Sequence, residues 1–310
     1  MNKKMQTKWA SRAAAALLSL SLLAAPCTAG AQYADVPADY PYAMSIDLLG
    51  QLGVLSGDEQ GNFHPEETLT RAQAAAMVYR MRTGLTNAAD AVGETGFSDV
   101  PADHWAAGYI NYCKQSGIIN GYPDGTFRPD ADVTDAEFLT MVVCALNLQR
   151  VEDQVVKNEE TGAMETQRKV TTFYPTGFIA IGVDQTLDVG LTIEVNEPIQ
   201  RGEAAQMVGR AIFAAHYKND PTDDDYVKNG ETYQTMAEGV WHLQQTTGVV
   251  QAYENYGTGG LEKDCFAIQT DDGLKQFTYE DFRSEYLGLH VSVWEKATSS
   301  GRKVVAVVPV

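Results

Sequence analysis

The sequence predicts a mainly α amino-terminal region of repeated helix-loop-helix units, followed by a small all-β, barrel-like module. Three observations carry the prediction. Residues recur at an offset of 64 positions, apolar residues inside each copy fall at helical spacing, and strand-like runs are confined to the carboxy-terminal end of the 310-residue chain. With 44% apolar and 21% charged residues, the chain is long enough for about two domains with real cores, which excludes a disordered chain and a disulfide-stapled miniprotein.

Residues 1–31 read as an export signal. Lys3, Lys4, Lys8 and Arg12 form a basic start, Ala13 to Ala25 an apolar run, and Ala29-Gly30-Ala31 a small-x-small cleavage site. The run falls short of the roughly 20 residues a comfortable membrane span needs. Export with no membrane span after cleavage is therefore expected, and Pro26 directly before Cys27 argues against lipid attachment.

The repeats come next, at 32–86, 96–150 and, in divergent form, 170–217. Asp35-Val36-Pro37-Ala38-Asp39 returns as Asp99-Val100-Pro101-Ala102-Asp103, and Gly53, Gly57, Gly61, Phe63, Pro65, Thr70 and Ala72 return as Gly117, Gly121, Gly125, Phe127, Pro129, Thr134 and Ala136. Pro198-Ile199-Gln200-Arg201-Gly202-Glu203-Ala204-Ala205 repeats the pattern of Glu67-Thr68-Leu69-Thr70-Arg71-Ala72-Gln73-Ala74. In the second copy Trp105, Ala106, Tyr109, Ile110 and Cys113 mark a first helix that Gly117 stops, and Gly121 to Pro129 forms a turn-rich loop around a buried Phe127. A capping box, Thr134-x-x-Glu137, opens the second helix, as Thr70-x-x-Gln73 does in the first copy. A single helix pair has too little core to stand alone, so the copies are expected to pack together.

Residues 218–231 are acidic and proline-bearing and read as a linker, with a short helix expected around 233–243. The β module, 232–310, contains Gly248 to Tyr253, Cys265 to Gln269, Leu289 to Trp294 and Lys303 to Val308 as strands, and a small closed barrel is the expected form.

Charge and cysteine narrow the function. Forty-one Asp and Glu against 23 Lys and Arg give a net charge of −18, which argues against a nucleic-acid partner. An anionic ligand must therefore meet a local cationic pocket. Outside the export segment stand Cys113, Cys144 and Cys265, an odd number; buried thiols are the simplest reading, with a Cys113–Cys144 bridge as the alternative. The five histidines lack metal-ligand spacing, and no serine elbow, zincin helix or phosphate loop occurs, so neither catalysis nor a cofactor is expected.

The second copy, through Phe97-Ser98-Asp99-Val100-Pro101, His104-Trp105-Ala106, Gly117 to Tyr122, Asp124 to Pro129 and Thr134 to Glu137, resembles the S-layer homology domains of bacterial surface proteins. The resemblance spans roughly residues 33–217. It implies a pseudo-threefold bundle and non-covalent binding to anionic, often pyruvylated, cell-wall polysaccharide linked to peptidoglycan. Carried over by motif, the implied ligand residues are Asp35, Arg71, Asp99, Trp105 and Arg201. A helix start with free amides and a forked guanidinium suits a carboxylate, and an indole suits a pyranose face. Each has a structural alternative: Trp105 as core, the arginines as surface cap partners, Asp35 and Asp99 as turn caps. Asp135 stands where the motif wants arginine, which should disable one groove. The expected function is that of an exported protein at the bacterial surface, in the cell wall or S-layer, anchored by its repeats and displaying the β module, with neighbouring surface proteins as further partners. The alternative is an exported wall hydrolase with its site in the carboxy-terminal module.

Overall fold

The computed structural model describes residues 33–309 except 38, 92, 150, 158–162, 217–233, 255, 258–259 and 281. The export segment and the acidic linker lie outside the described residues. The chain divides into two compact units that meet in sequence at Leu243 and Gln244.

The first unit contains three helix pairs. They are α1 (Ala43–Leu52) with α2 (Arg71–Thr83), α3 (Ala107–Gln115) with α4 (Asp135–Ala145), and α5 (Thr176–Asp184) with α6 (Arg201–Phe213). Both capping boxes form as the sequence requires: the Thr70 hydroxyl accepts from Gln73 N and the Thr134 hydroxyl from Glu137 N, while each position-three side chain returns a bond to the cap amide. Phe63 and Phe127 are fully buried at equivalent loop positions, beside Tyr33 and Phe97 respectively.

The three pairs are locked by a cyclic backbone exchange just ahead of the second helices. Leu69 N donates to Ile199 O (3.0 Å), Ile199 N to Val133 O (3.0 Å) and Val133 N to Leu69 O (2.9 Å). All three side chains are buried. No single pair can supply this ring: each of the three copies contributes one residue to it.

Two strand pairs ahead of the β unit were not legible as strands. A hairpin, β1 (Val151–Lys157) with β2 (Met164–Val170), interrupts the repeats, and β3 (Ala215–His216) pairs with β4 (Gln234–Thr235). The expected helix at 233–243 is a single turn, α7 (Met236–Gly239), and Met236, Ala237, Trp241 and Leu243 are buried. This burial carries the first unit to Leu243, beyond the expected start of the β module.

The second unit is an antiparallel sheet of β5 (Gln244–Tyr253), β6 (Tyr256–Gly257), β7 (Cys265–Thr270), β8 (Gly273–Thr278), β9 (His290–Thr298) and β10 (Gly301–Pro309). Its hydrogen-bonded order is β10-β9-β5-β7-β8, with β6 beside β5. The sheet is open: among the described residues β10 and β8 share no ladder, which corrects the expected closed barrel. Irregularities at Val250/Ala252 and Val304/Ala306 interrupt the regular register, as bulges do where a sheet must curve. Phe266, Phe277 and Phe282 stack in the core beneath it. Short β8 keeps only Phe277 buried, and with Lys275 exposed on it resists edge pairing.

Candidate functional site

The first residue of each second helix reaches toward the neighbouring repeat, and the ring turns this into three comparable interfaces with different charges. At the first, Arg71 is 7% exposed. Its Nε donates to Phe127 O (2.9 Å), its Nη1 lies 3.2 Å from Glu137 Oε1, and its guanidinium packs over the Phe127 and Tyr122 rings. At the second, Asp135 is 5% exposed and accepts from Glu194 N (2.8 Å). Burial pushes its carboxyl up to about 6, against the lowering effect of that amide, and Glu203, Glu194 and Glu197 add to the rise. At the third, Arg201 Nε donates to Phe63 O (2.9 Å) and its guanidinium covers the Phe63 ring.

The helix-start amides are not free, contrary to the expectation that they would receive a ligand carboxylate. Arg71 N donates to Ala131 O, Ala72 N to Pro129 O, Arg201 N to Glu67 O, Gly202 N to Pro65 O and Asp135 N to Glu197 O. The neighbouring repeat occupies them because the cyclic exchange brings its carbonyls across each helix start.

The position-three residue of the next helix faces each of these side chains. Glu137 neutralises Arg71, and Glu203 repels Asp135. By the repeat correspondence Gln73 holds the matching place opposite Arg201, and being uncharged it forms no ion pair with that cation, which feels Glu67 and Asp35 only from a longer range. Among the described residues no carboxylate lies within ion-pair distance of the Arg201 guanidinium, and burial lowers its pKa from the ordinary arginine value.

A cavity of about 190 Å³ opens at this third interface. Gln73, Ala76, Met77 and Arg80 line it from α2 at positions i, i+3, i+4 and i+7, one helical face, together with Arg201, Trp105 and Ser56 over Val54, Leu55 and Leu69. Trp105 is 57% exposed. Arg80 donates to Thr86 O and Val54 O and lies over the Tyr109 ring, again with carbonyls and an aromatic face as partners. The lining holds no carboxylate, imidazole or thiol among the described residues. Two guanidinium groups beside an open indole suit capture of an anionic ring compound; they offer no general acid or nucleophile.

Of the five residues expected at the ligand, two line this cavity: Trp105 and Arg201. Arg71 does not; its fork is committed to Phe127 O and Glu137. Asp35 and Asp99 act as loop clamps. Asp35 accepts from Phe63 N (2.7 Å) and His64 N (2.6 Å), and Asp99 from Phe127 N (2.8 Å) and Arg128 N (2.7 Å). Sequence reasoning missed Arg80 and Gln73. The available signal was a cation, Arg80, directly after the apolar run Ala74 to Tyr79, at a position where the second copy has Cys144.

Cys113, Cys144 and Cys265 are buried free thiols, so Cys113 and Cys144 do not pair. Burial raises the pKa of Cys113 and pushes Cys144 up to about 12. Among the described residues no group of His, Cys, Asp and Glu is arranged to hold a metal ion, and no helix is long and apolar enough to cross a membrane.

Three interlocked helix-loop-helix units with a cationic, aromatic cavity define a helical repeat module. Residues 32–75 and 96–139 match the family model of the S-layer homology domain, and the chain carries that domain. Relatives include a cell surface protein of Thermoanaerobacter kivui, 26% identical over 287 residues that cover 90% of this chain and 33% of that protein. A cellulosome-anchoring protein of Acetivibrio thermocellus is 29% identical over 191 residues, 60% of this chain and 41% of that protein. The S-layer protein EA1 of Bacillus anthracis is 27% identical over 181 residues, 58% of this chain and 20% of that protein. The chain thus spans well under half the length of these relatives, whose names are those of surface and anchoring proteins. The matches indicate an exported protein of the cell surface.

Proposed function

We propose that the chain anchors non-covalently to an anionic cell-wall polysaccharide, pyruvylated at the residue it captures, and displays the β unit at the surface. The observation that carries this reading is the pair Arg80 and Arg201, neither in an ion pair among the described residues, beside an exposed Trp105, in a chain with a net charge of −18. Such a pair attracts a carboxylate locally while the surrounding field repels anions in general. In this reading the indole face stacks on the sugar ring, and the Gln73 side-chain N–H, its oxygen being held by Thr70 N, and the Ser56 hydroxyl bond ring hydroxyls. The cellulosome-anchoring relative supports a tethering role. Asp35 and Asp99 contribute by holding the loops, and Arg71 by holding the first interface.

The test is retention of the chain from residue 32 onward on peptidoglycan sacculi, before and after chemical removal of the secondary polymer. Retention should require the polymer and should drop on Trp105→Ala and Arg201→Ala with the fold intact. Equal retention by stripped sacculi would defeat the reading. Soluble fragments released in a zymogram would instead favour a wall hydrolase.

A further inference from the structure

Arg201 rests on a short loop whose only titrating cation is a histidine ringed by carboxylates. His64 Nε2 lies 2.7 Å from Asp58 Oδ2, and its Nδ1 lies 3.9 Å from Asp35 Oδ2 and 3.7 Å from Glu67 Oε1. Each of those acids, or the residue it holds, bears on Arg201. Asp35 clamps Phe63 N and His64 N; Phe63 supplies the carbonyl and the ring that receive the guanidinium; the Glu67 carbonyl accepts from Arg201 N. Asp58 in turn holds the turn before the loop through Gln60 N and Asn62 N. The charged groups facing the imidazole are therefore Asp58 from the preceding turn, Asp35 from the opening turn and Glu67 from the following one. Arg201 on α6 stands behind Asp35 and Glu67.

The second repeat supplies an internal comparison. At the corresponding position it has Arg128, in the same left-handed backbone conformation (φ 60° against 59° for His64) and over the same kind of aspartate clamp. Arg128 pairs with Asp124 at 2.9 Å and is charged at every physiological pH. The loop beneath the buried, committed Arg71 is thus held by a permanent cation. The loop beneath the available Arg201 is held by a titratable one.

We infer that His64 is a positioning residue that makes the Arg201 cavity responsive to pH: protonated, it draws Asp58, Asp35 and Glu67 around the loop that seats Arg201, and neutral, it leaves three carboxylates to repel one another there. This inference rests on the cavity being the wall-binding site. The hydrogen bond to Asp58, more than the Glu67, Asp58 and Asp35 charges, raises the His64 pKa against a lowering by desolvation. Because the folded value lies above the ordinary 6.5, the ordering is fully present below that value and is lost as pH rises through the raised one. The cluster is half open to solvent, so the effect on retention should be modest, about threefold across its titration.

The experiment compares wild type with His64→Arg, which copies the second repeat and fits a backbone that already carries arginine there. Retention on sacculi is measured from about pH 6 to about pH 8, bracketing the histidine range. Wild type should lose about threefold and His64→Arg should stay flat at the acid-side level. Parallel decline of both would overturn the inference, since the polymer and Asp135 titrate identically in the two proteins. Amide hydrogen exchange over residues 63–67 is read in the same samples without any ligand. Exchange should quicken with pH, beyond its intrinsic dependence, in wild type alone; the same acceleration in His64→Arg would also overturn it. If neither protein is retained at any pH, the wall-binding reading fails while exchange still decides the role of His64.

Discussion

Replacing Gln73 with glutamate tests the charge logic of the ring with one atom group. The substitution copies the arrangement of the first interface, where Glu137 stands 3.2 Å from the Arg71 guanidinium and caps α4 at the same time. Glutamate serves the capping box as well as glutamine does, so the helix start should survive and overall stability should move by about 1 kcal/mol or less. Binding should not survive. On the proposed function, a carboxylate opposite Arg201 would take up the charge-assisted hydrogen bonds the anionic ligand would make, worth about 1.5–3 kcal/mol, which corresponds to roughly a ten- to hundredfold loss of affinity. The assay is a retention isotherm on polymer-bearing sacculi, with thermal unfolding of the same preparation as the control. Wild-type affinity with an unchanged melting temperature would refute the reasoning, because a neutral partner at position 73 would then be irrelevant to what Arg201 does.

Further expectations follow from the other interfaces. Arg71→Ala should lower stability by about 2–4 kcal/mol, since it strands Glu137 and empties the space between Phe127 and Tyr122, whereas Arg201→Ala, with no carboxylate to strand, should cost less; thermal melts of both rank them. The Asp135 carboxyl, pushed up to about 6, binds its proton in the folded chain at pH values where the unfolded chain has lost it. Stability should therefore fall as pH rises from about 4 to about 6, and Asp135→Asn, which still accepts from Glu194 N, should flatten that limb and add on the order of 1–2 kcal/mol above it, as urea titrations at several pH values would read. Gly121→Ala places a Cβ 2.7 Å from Thr126 O and against the Phe97 ring, so a loss of about 1–3 kcal/mol in denaturant melts is expected.

Much of the fold was legible because its signals are local. The Thr70 and Thr134 capping boxes act over three residues, the buried Phe63 and Phe127 follow from the turn chemistry around them, and the 64-residue offset required only counting. The polar strands were not legible: β1, β2 and β8 lack the apolar alternation that marks a half-buried strand, and β8 keeps a single buried side chain. The fate of the sheet was hidden for a different reason, since closure depends on whether two edges meet across the whole unit.

At the site, sequence alone determined which residues begin the second helices: arginine, aspartate, arginine. It equally determined which residues stand at their third positions: glutamine, glutamate, glutamate. Only the tertiary ring decided how these face one another, pairing Arg71 with Glu137, setting Asp135 against Glu203 and leaving Arg201 opposite Gln73. Helix periodicity and capping are fixed by neighbours within a turn. The charge state of a cavity is fixed by groups from another repeat, brought within reach by the exchange among Leu69, Val133 and Ile199.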